Sequence, residues 1–470
     1  MATILNYIYV VLAVILLFGA AIFVHEFGHY WMARKRGLKV VALAIGMGPK
    51  IFSWTRDGIE YSWRWIPAGG FVKLPQMITS EALEGEYTEG GETLPPISPW
   101  SKILVAVAGP FMNVVFGLAI ALVIYFVGLP VLVNPSIIGY VEPGSAEAKL
   151  GIREGDQIVA VNGRPVKAWQ DVLMAVIIAR TNVLPVVIER GGVRTEYQLP
   201  TITNELIGGK MLNLDPKEHP LIATLEHGSP AEKAGLQPGD QFLSFGGVPV
   251  FSQEHLIDLI KKQPGKASEV QVQRGTQKVT LTVTPRYDSV TKRGRIGVAL
   301  TSSSAVYQVQ KPGPTPWAQI SEVVRQTIDT FGALFHSKQT GVGAKDLSGP
   351  VGILATLAVQ VNADYRLALK FLVLLNINLA VLNLLPVPVL DGGHILMAII
   401  ERVRRRPLSV RFVEYVTTGF AVLLISFMLY VTFFDIKRVP FFRSMLRRDT
   451  QIEPADKPAP EPILVPAPAK

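Results

Sequence analysis

The sequence predicts a multidomain chain: an α-helical membrane domain of four transmembrane helices with a small membrane-associated β-sheet, plus two α+β domains that are copies of each other. Three observations carry this. Four long apolar runs are almost free of charge, roughly residues 5–33, 103–133, 371–390 and 415–434. The segment from about 135 to 302 repeats itself at an offset of about 84 residues. Between the first two runs, residues 40–75 alternate apolar and polar positions around several glycines.

The first run has no Asp, Glu, Lys or Arg from Met1 to Val24 and leads directly into His25-Glu26-Phe27-Gly28-His29. On a helix, two histidines four apart share one face, the spacing that lets two imidazoles hold one Zn²⁺. Glu26 between them is placed to take a proton from the attacking water. A chance match on a surface helix would carry no penalty. Beside a spanning run, three polar residues need a reason, and ionisable groups at membrane depth point to function. No signal peptide is expected, because the run lacks a basic start and is too long for an h-region.

The chain has 470 residues, a formal net charge of +9 and no cysteine. The missing cysteines exclude disulfides and thiolate ligands. The positive charge is not spread as a nucleic-acid surface would be. Arg34, Lys35, Arg36 and Lys39 follow the first run, and Arg402, Arg404, Arg405, Arg406 and Arg411 precede the last. That is the pattern of cytoplasmic loops. Four spans then place both termini, and the segment between spans two and three, on the outer side. Lys437, Arg438, Arg443, Arg447 and Arg448 run against that orientation. The second run is expected to break near Gly109 and Pro110.

After the first span, Ile59 to Ile66 reads as a strand and Pro67-Ala68-Gly69-Gly70 as its turn. Residues 80–98 read as an acidic, solvated loop, and the tail from 449 as disordered. Residues 316–336 form an amphipathic helix, with Trp317, Ile320, Val324, Ile328, Phe331 and Phe335 on one face, suited to the outer membrane surface or to the soluble domains. The expected domains are 1–134, 135–218, 219–302, 303–365, 366–448 and 449–470.

A catalytic zinc site generally uses three protein ligands. Asp391 stands at the end of the third run, in Asn383-Leu384-Leu385-Pro386-Val387-Pro388-Val389-Leu390-Asp391-Gly392-Gly393. An acid there is costly unless it is paired or bound to metal, and the two glycines allow close backbone approach. Asp391 is therefore the candidate third ligand; the alternative is a helix-ending Asp at the interface.

The repeated strings "PGSAEAKLGIREGDQIVAVNG" and "HGSPAEKAGLQPGDQFLSFGG" resemble PDZ domains, which take up peptides by strand addition; the lesser alternative is that the copies are spacers or plugs with empty grooves. HEFGH, "AGPFMN" (Ala108 to Asn113), "LSGPVGI" (Leu347 to Ile353) and "NLLPVPVLDGG" together resemble the intramembrane zinc metalloproteases of the site-2 protease family. The resemblance implies His25, His29 and Asp391 as zinc ligands, Glu26 as catalytic base and Asn383 as a residue holding substrate. It further implies a bacterial inner-membrane protein with its active site near the cytoplasm and its PDZ copies in the periplasm. The implied substrate is the transmembrane segment of a single-span protein, such as a trimmed anti-sigma factor in stress signalling, or a leftover signal peptide.

Physical chemistry adds that a helical substrate must unwind before cleavage. Strand addition to Tyr61, Ser62, Trp63, Arg64, Trp65 and Ile66 would satisfy its freed backbone groups. Two other functions compete. A membrane scaffold built on PDZ copies leaves the histidines and Asp391 unexplained, and a zinc transporter is disfavoured by four spans without a visible inverted repeat.

Overall fold

Four helices are long and apolar enough to cross a membrane, namely Ile4–Lys35, Pro99–Val127, Tyr365–Asn383 and Arg411–Val439. The computed structural model describes residues 2–77, 97–132, 134–203, 210–288, 293–301, 306–406, 408–446 and 451–453. The expected acidic loop (all but residues 97 and 98) and most of the C-terminal tail lie outside these; Gln451–Glu453 pairs as a strand with 306–308. The chain divides into two units, a membrane unit and a unit holding the repeats.

In the membrane unit, α1 (Ala2–Lys35) carries no Asp, Glu, Lys or Arg before Glu26 and is closed by Arg34 and Lys35. Its end is capped by Gly37 at φ 73°, with Leu38 N–H returning to Ala33 O at 2.9 Å. The cations suit the negative end of the helix dipole. Helix α2 (Pro99–Val127) starts at Ser98, whose side chain accepts from Ser101 N–H, and stops at Gly128. It runs unbroken through Pro110, so the expected break does not occur. It also ends before 133, and Leu129–Leu132 forms a strand instead.

Helix α3 (Pro316–Phe335) is the expected amphipathic helix. Gln319 Nε2 donates to Ala121 O of α2 at 3.0 Å, and Thr327 Oγ1 donates at 2.6 Å to Asn378 Oδ1 of the third span. These bonds hold the first part of α3 against spanning helices, with Trp317 and Ile328 facing outward. Helix α4 (Pro350–Ala363) explains the "LSGPVGI" string. Buried Asp435 accepts from Gly352 N–H at 2.8 Å, and a Cβ at Gly349 or Gly352 would lie 2.9 or 2.6 Å from its oxygens.

Helix α5 (Tyr365–Asn383) is capped by Asp364, which accepts from Arg366 N–H. It ends at Asn383 rather than near 390, because Pro386 and Pro388 cannot continue it. Helices α6 (Asp391–Arg404) and α7 (Val410–Leu446) follow. Ala21, Ile120, Ala121, Ile124, Leu372, Val373 and Ile377 form the core between α1, α2 and α5.

Two long strands, β1 (Ala42–Arg56) and β2 (Ile59–Lys73), bend so that each supplies two rows of one sheet. Ala42 to Ile45 lie between Glu60–Trp63 and Gly70–Lys73, while Phe52 to Arg56 pair with the outer side of 59–63. The expected turn at 67–70 is therefore part of a strand.

In the other unit the duplication is exact in position down to the core. Ile138, Ile158, Val161, Val186, Ile188 and Leu199 of the first copy match Ile222, Phe242, Phe245, Val270, Val272 and Val283 of the second, all buried. Arg190 forms a two-pronged ion pair with buried Asp156 and donates to Gly151 O; Arg274 does the same with Asp240 and Gly235 O. Ser145 and Ser229 cap equivalent short helices. The copies meet where Tyr140 stacks on His255 at 4.8 Å and reaches Asp258.

Candidate metal centre

The HExxH residues fall on α1 well before its basic end, on the side facing α2. Close approach of these helices depends on missing side chains. A Cβ on Gly28 would sit 2.4 Å from Ala108 O, and one on Gly109 would sit 2.2 Å from His29 Nε2. One turn before Pro110, Val105 O takes the Nδ1–H of His29 at 2.8 Å. That bond turns Nε2 of His29 outward as a free donor to a metal.

Asp391 arrives from α6. The segment 384–390 folds back so tightly that a Cβ on Gly392 would lie 2.1 Å from Leu385 O, and one on Gly393 would lie 2.3 Å from Val387 O. The expected role of the two glycines, close backbone approach, is what the backbone requires. Asp391 is also the first residue of its helix, where a negative charge is favoured.

The three side chains converge. Nε2 of His25 and Nε2 of His29 are 3.2 Å apart, and they lie 3.4 and 3.3 Å from the two oxygens of Asp391. Ligands about 2.0–2.1 Å from a tetrahedral zinc stand about 3.3–3.4 Å from one another. Each of the three contacts has about that length, the two imidazoles each meeting their own oxygen of the Asp391 carboxylate. Oδ2 of Asp391 is buried without a hydrogen-bond partner, as a cation ligand would be. Among the described residues this is the one such donor cluster. His394 stands apart from it, lining a cleft with Met77, Lys102 and Glu401.

Around the triangle, Glu26 is buried, with its Cγ against Gly70, where a Cβ would lie 2.8 Å away. Asn383 at the end of α5 places Nδ2 3.4 Å from His25 Nε2. Asn376 and Asn378 are used in packing, bonded to Leu372 O and Thr327.

One residue escaped the sequence reading. Asn113, fully buried in α2, lies with Nδ2 3.2 Å from His25 Nδ1, while its Oδ1 has no partner. Exchanging the two ends of the amide gives Oδ1 the Nδ1–H of His25 and frees Nε2 for metal. The signal was present: a lone asparagine in an uncharged span.

The 61–66 segment is a different matter. Tyr61, Ser62 and Trp63 are paired on both sides, Tyr61 with Leu43 and Trp54, so their backbone has no free edge for an added strand. Tyr61 instead bonds Tyr30 at 2.9 Å, and Arg64 reaches Gly48 O and stacks on Phe71. Trp65 and Ile66 are exposed. The expected clamp at Tyr61 to Trp63 is corrected by this register.

Comparison with known proteins decides the family. A model of Peptidase family M50 matches residues 13–427. The chain belongs to peptidase family M50, the site-2 proteases. M50 membership makes it a zinc metalloprotease, and the donor set above fits that metal. Among its relatives, a candidate zinc metalloprotease of Xylella fastidiosa is 31% identical over 427 residues, covering 84% of this chain and 91% of that one. The regulator of sigma-E protease RseP of Salmonella typhimurium is 28% identical over 461 residues, covering 91% and 98%. The PDZ domain of an SdrC-like protein from Listeria monocytogenes aligns with 18% of this chain and 88% of its own at 20% identity, with a TM-score of 0.17, too slight a likeness to carry an argument.

Proposed function

We propose that this M50 protease cleaves the transmembrane segments of single-span membrane proteins, with His25, His29 and Asp391 as zinc ligands and Glu26 as the base. The observation that carries the reading is the triangle of His25, His29 and Asp391 built on helices of the membrane unit. Zinc held there supplies Lewis acidity toward the scissile carbonyl and the attacking water. Glu26 takes the proton from that water and delivers it to the leaving amide nitrogen. Val105 O and Asn113 hold the two imidazoles in the tautomers that leave each Nε2 free. Asn383, beside His25, donates to the substrate backbone.

A substrate helix opened at the site needs partners for its freed N–H and C=O groups. The row Gly70–Val72 has a strand neighbour only on its Ala42–Ile45 side among the described residues, and Gly70 borders Glu26. This row, rather than Tyr61–Trp63, is the edge on which an unwound substrate adds a strand.

The substrate class is that of an anti-sigma factor already trimmed outside the membrane, with leftover signal peptides as a second group; similarity to the Salmonella regulator of sigma-E protease supports the link to sigma-factor control. The protein then sits in a bacterial inner membrane with its zinc toward the cytoplasm, as the basic loops favour. The two repeat copies act as periplasmic PDZ domains that screen arriving substrates.

The test is cleavage of a single-span substrate by purified protein, with and without the substrate's outer domain. Glu26→Gln is expected to abolish cleavage with zinc retained, and His25→Ala to lose both. Cleavage by Glu26→Gln at the parental rate would refute the assignment. Deleting residues 135–302 is expected to let untrimmed substrate through.

A further inference from the structure

The far end of α6 carries a second requirement for the zinc site. Lys102 Nζ lies 2.8 Å from Glu401 Oε2, and the two side chains are only 18% and 11% exposed. The other oxygen of Glu401 accepts from Leu408 N–H at 3.2 Å. Each charge stands at the unfavourable end of its own helix. Lys102 follows the cap Ser98 by four residues, close to the positive end of α2. Glu401 lies one turn before the negative end of α6 at Arg404. Helix preference opposes both placements, and an unpaired charge in this half-enclosed cleft would be expensive. The partnership between them accounts for both.

The pair joins the two helices that build the site. Helix α2 carries Val105 and Asn113, which touch the two imidazoles. Helix α6 carries Asp391 at its start. Glu401 is ten residues further along, about 15 Å on the helix axis, so a pivot of about 4° at that end moves Asp391 by about 1 Å. Metal–ligand distances tolerate about 0.2 Å. The tight packing of Gly392 and Gly393 fixes α6 to the segment just before it in the chain. The ion pair instead ties α6 across to α2, and Leu408 extends the tie to the start of α7.

We infer that Lys102 and Glu401 are positioning residues, whose ion pair locks α6 against α2 and so holds Asp391 in register with His25 and His29. The inference rests on the zinc-ligand reading above. Its test is the rate at which purified full-length protein surrenders zinc to a chelator, followed with the thermal midpoint and substrate cleavage. Lys102→Met and Glu401→Gln are expected to release zinc at least about ten-fold faster, while Lys102→Arg, which keeps the pair, stays near the parental rate. The double variant Lys102→Met/Glu401→Met removes both buried charges without restoring the tie. It is expected to recover the thermal midpoint and still release zinc quickly, and it decides the matter if a single variant fails to accumulate. Parental zinc release by folded single variants would overturn the inference, as would a double variant that regains zinc retention along with stability. A parent that binds no zinc would overturn the ligand reading, and this inference with it.

Discussion

Replacing Gly109 with alanine tests the metal centre through packing alone, without touching a ligand. The added Cβ would stand 2.2 Å from Nε2, 2.5 Å from Cε1 and 2.8 Å from Cδ2 of His29. An ordinary carbon contact begins near 3.5 Å, so the ring must give way by more than about 1 Å. It has little room to do so, because Nδ1 is bonded to Val105 O and Nε2 faces Asp391. A misplacement of about 1 Å costs on the order of 100-fold in rate, or about 2.7 kcal/mol of barrier. Alanine meanwhile favours a helix over glycine by about 0.5–1 kcal/mol, so the fold should not suffer from the backbone. The measurement is zinc content by mass spectrometry, beside cleavage of a single-span substrate and the thermal midpoint. Gly19→Ala is the control, since a Cβ there meets nothing within 4 Å. A Gly109→Ala protein with full zinc and parental cleavage would refute the packing argument.

Asn113→Leu should weaken zinc binding about 10- to 100-fold, read by chelator competition, because His25 loses the partner that orients it. Arg274→Ala should destabilise the second repeat by about 2–4 kcal/mol in denaturant unfolding, since it strands the buried carboxylate of Asp240; zinc content should not change. Asp215 lies between the repeats, where burial and then the Glu254 charge push its pKa up from 3.8 to about 6. A raised acid means the folded state holds the proton longer than the unfolded one. Stability from this group is therefore greatest below about pH 4 and falls as pH rises to about 6, by up to about 3 kcal/mol. Asp215→Asn should flatten that slope in thermal melts taken from pH 4 to 7, and an unchanged slope would count against it. Chelation should abolish cleavage, and added zinc should restore it.

Much of this molecule was legible because its sequence states chemistry and period together. HEFGH in an uncharged run fixed two donors on one helix face, and the acid after two prolines supplied the third. The offset of about 84 residues that equates Asp156 with Asp240 also equates Ile138 with Ile222, because duplication preserves the core along with the turns. Other features depended on partners that no local pattern announces. Pro110 looks like a helix breaker, yet neighbouring helices keep α2 continuous. Residues 316–336 have the stripe of a surface helix, but Gln319 and Thr327 find acceptors on the spans. The pattern of Tyr61 to Ile66 predicts a strand correctly without saying which row of the sheet it occupies, and only an outer row can accept a substrate. The contact of Asn113 with His25 and the Lys102–Glu401 pair join segments distant in sequence, so the partners were not legible even where a lone polar residue was.

The membrane unit is assembled from separate stretches of chain, with the repeats made between them. During synthesis His25 and His29 leave the ribosome roughly 360 residues before Asp391, and at about 5–20 residues per second that gap lasts on the order of 20–70 s. Throughout it, the nascent chain lies in a bilayer crowded with other spanning helices and lacks a third donor. A site that needs all three donors is thus incomplete while the chain is being made, and is completed only after the repeats have been synthesised. Splitting the site across the length of the chain defers its assembly to the end of synthesis.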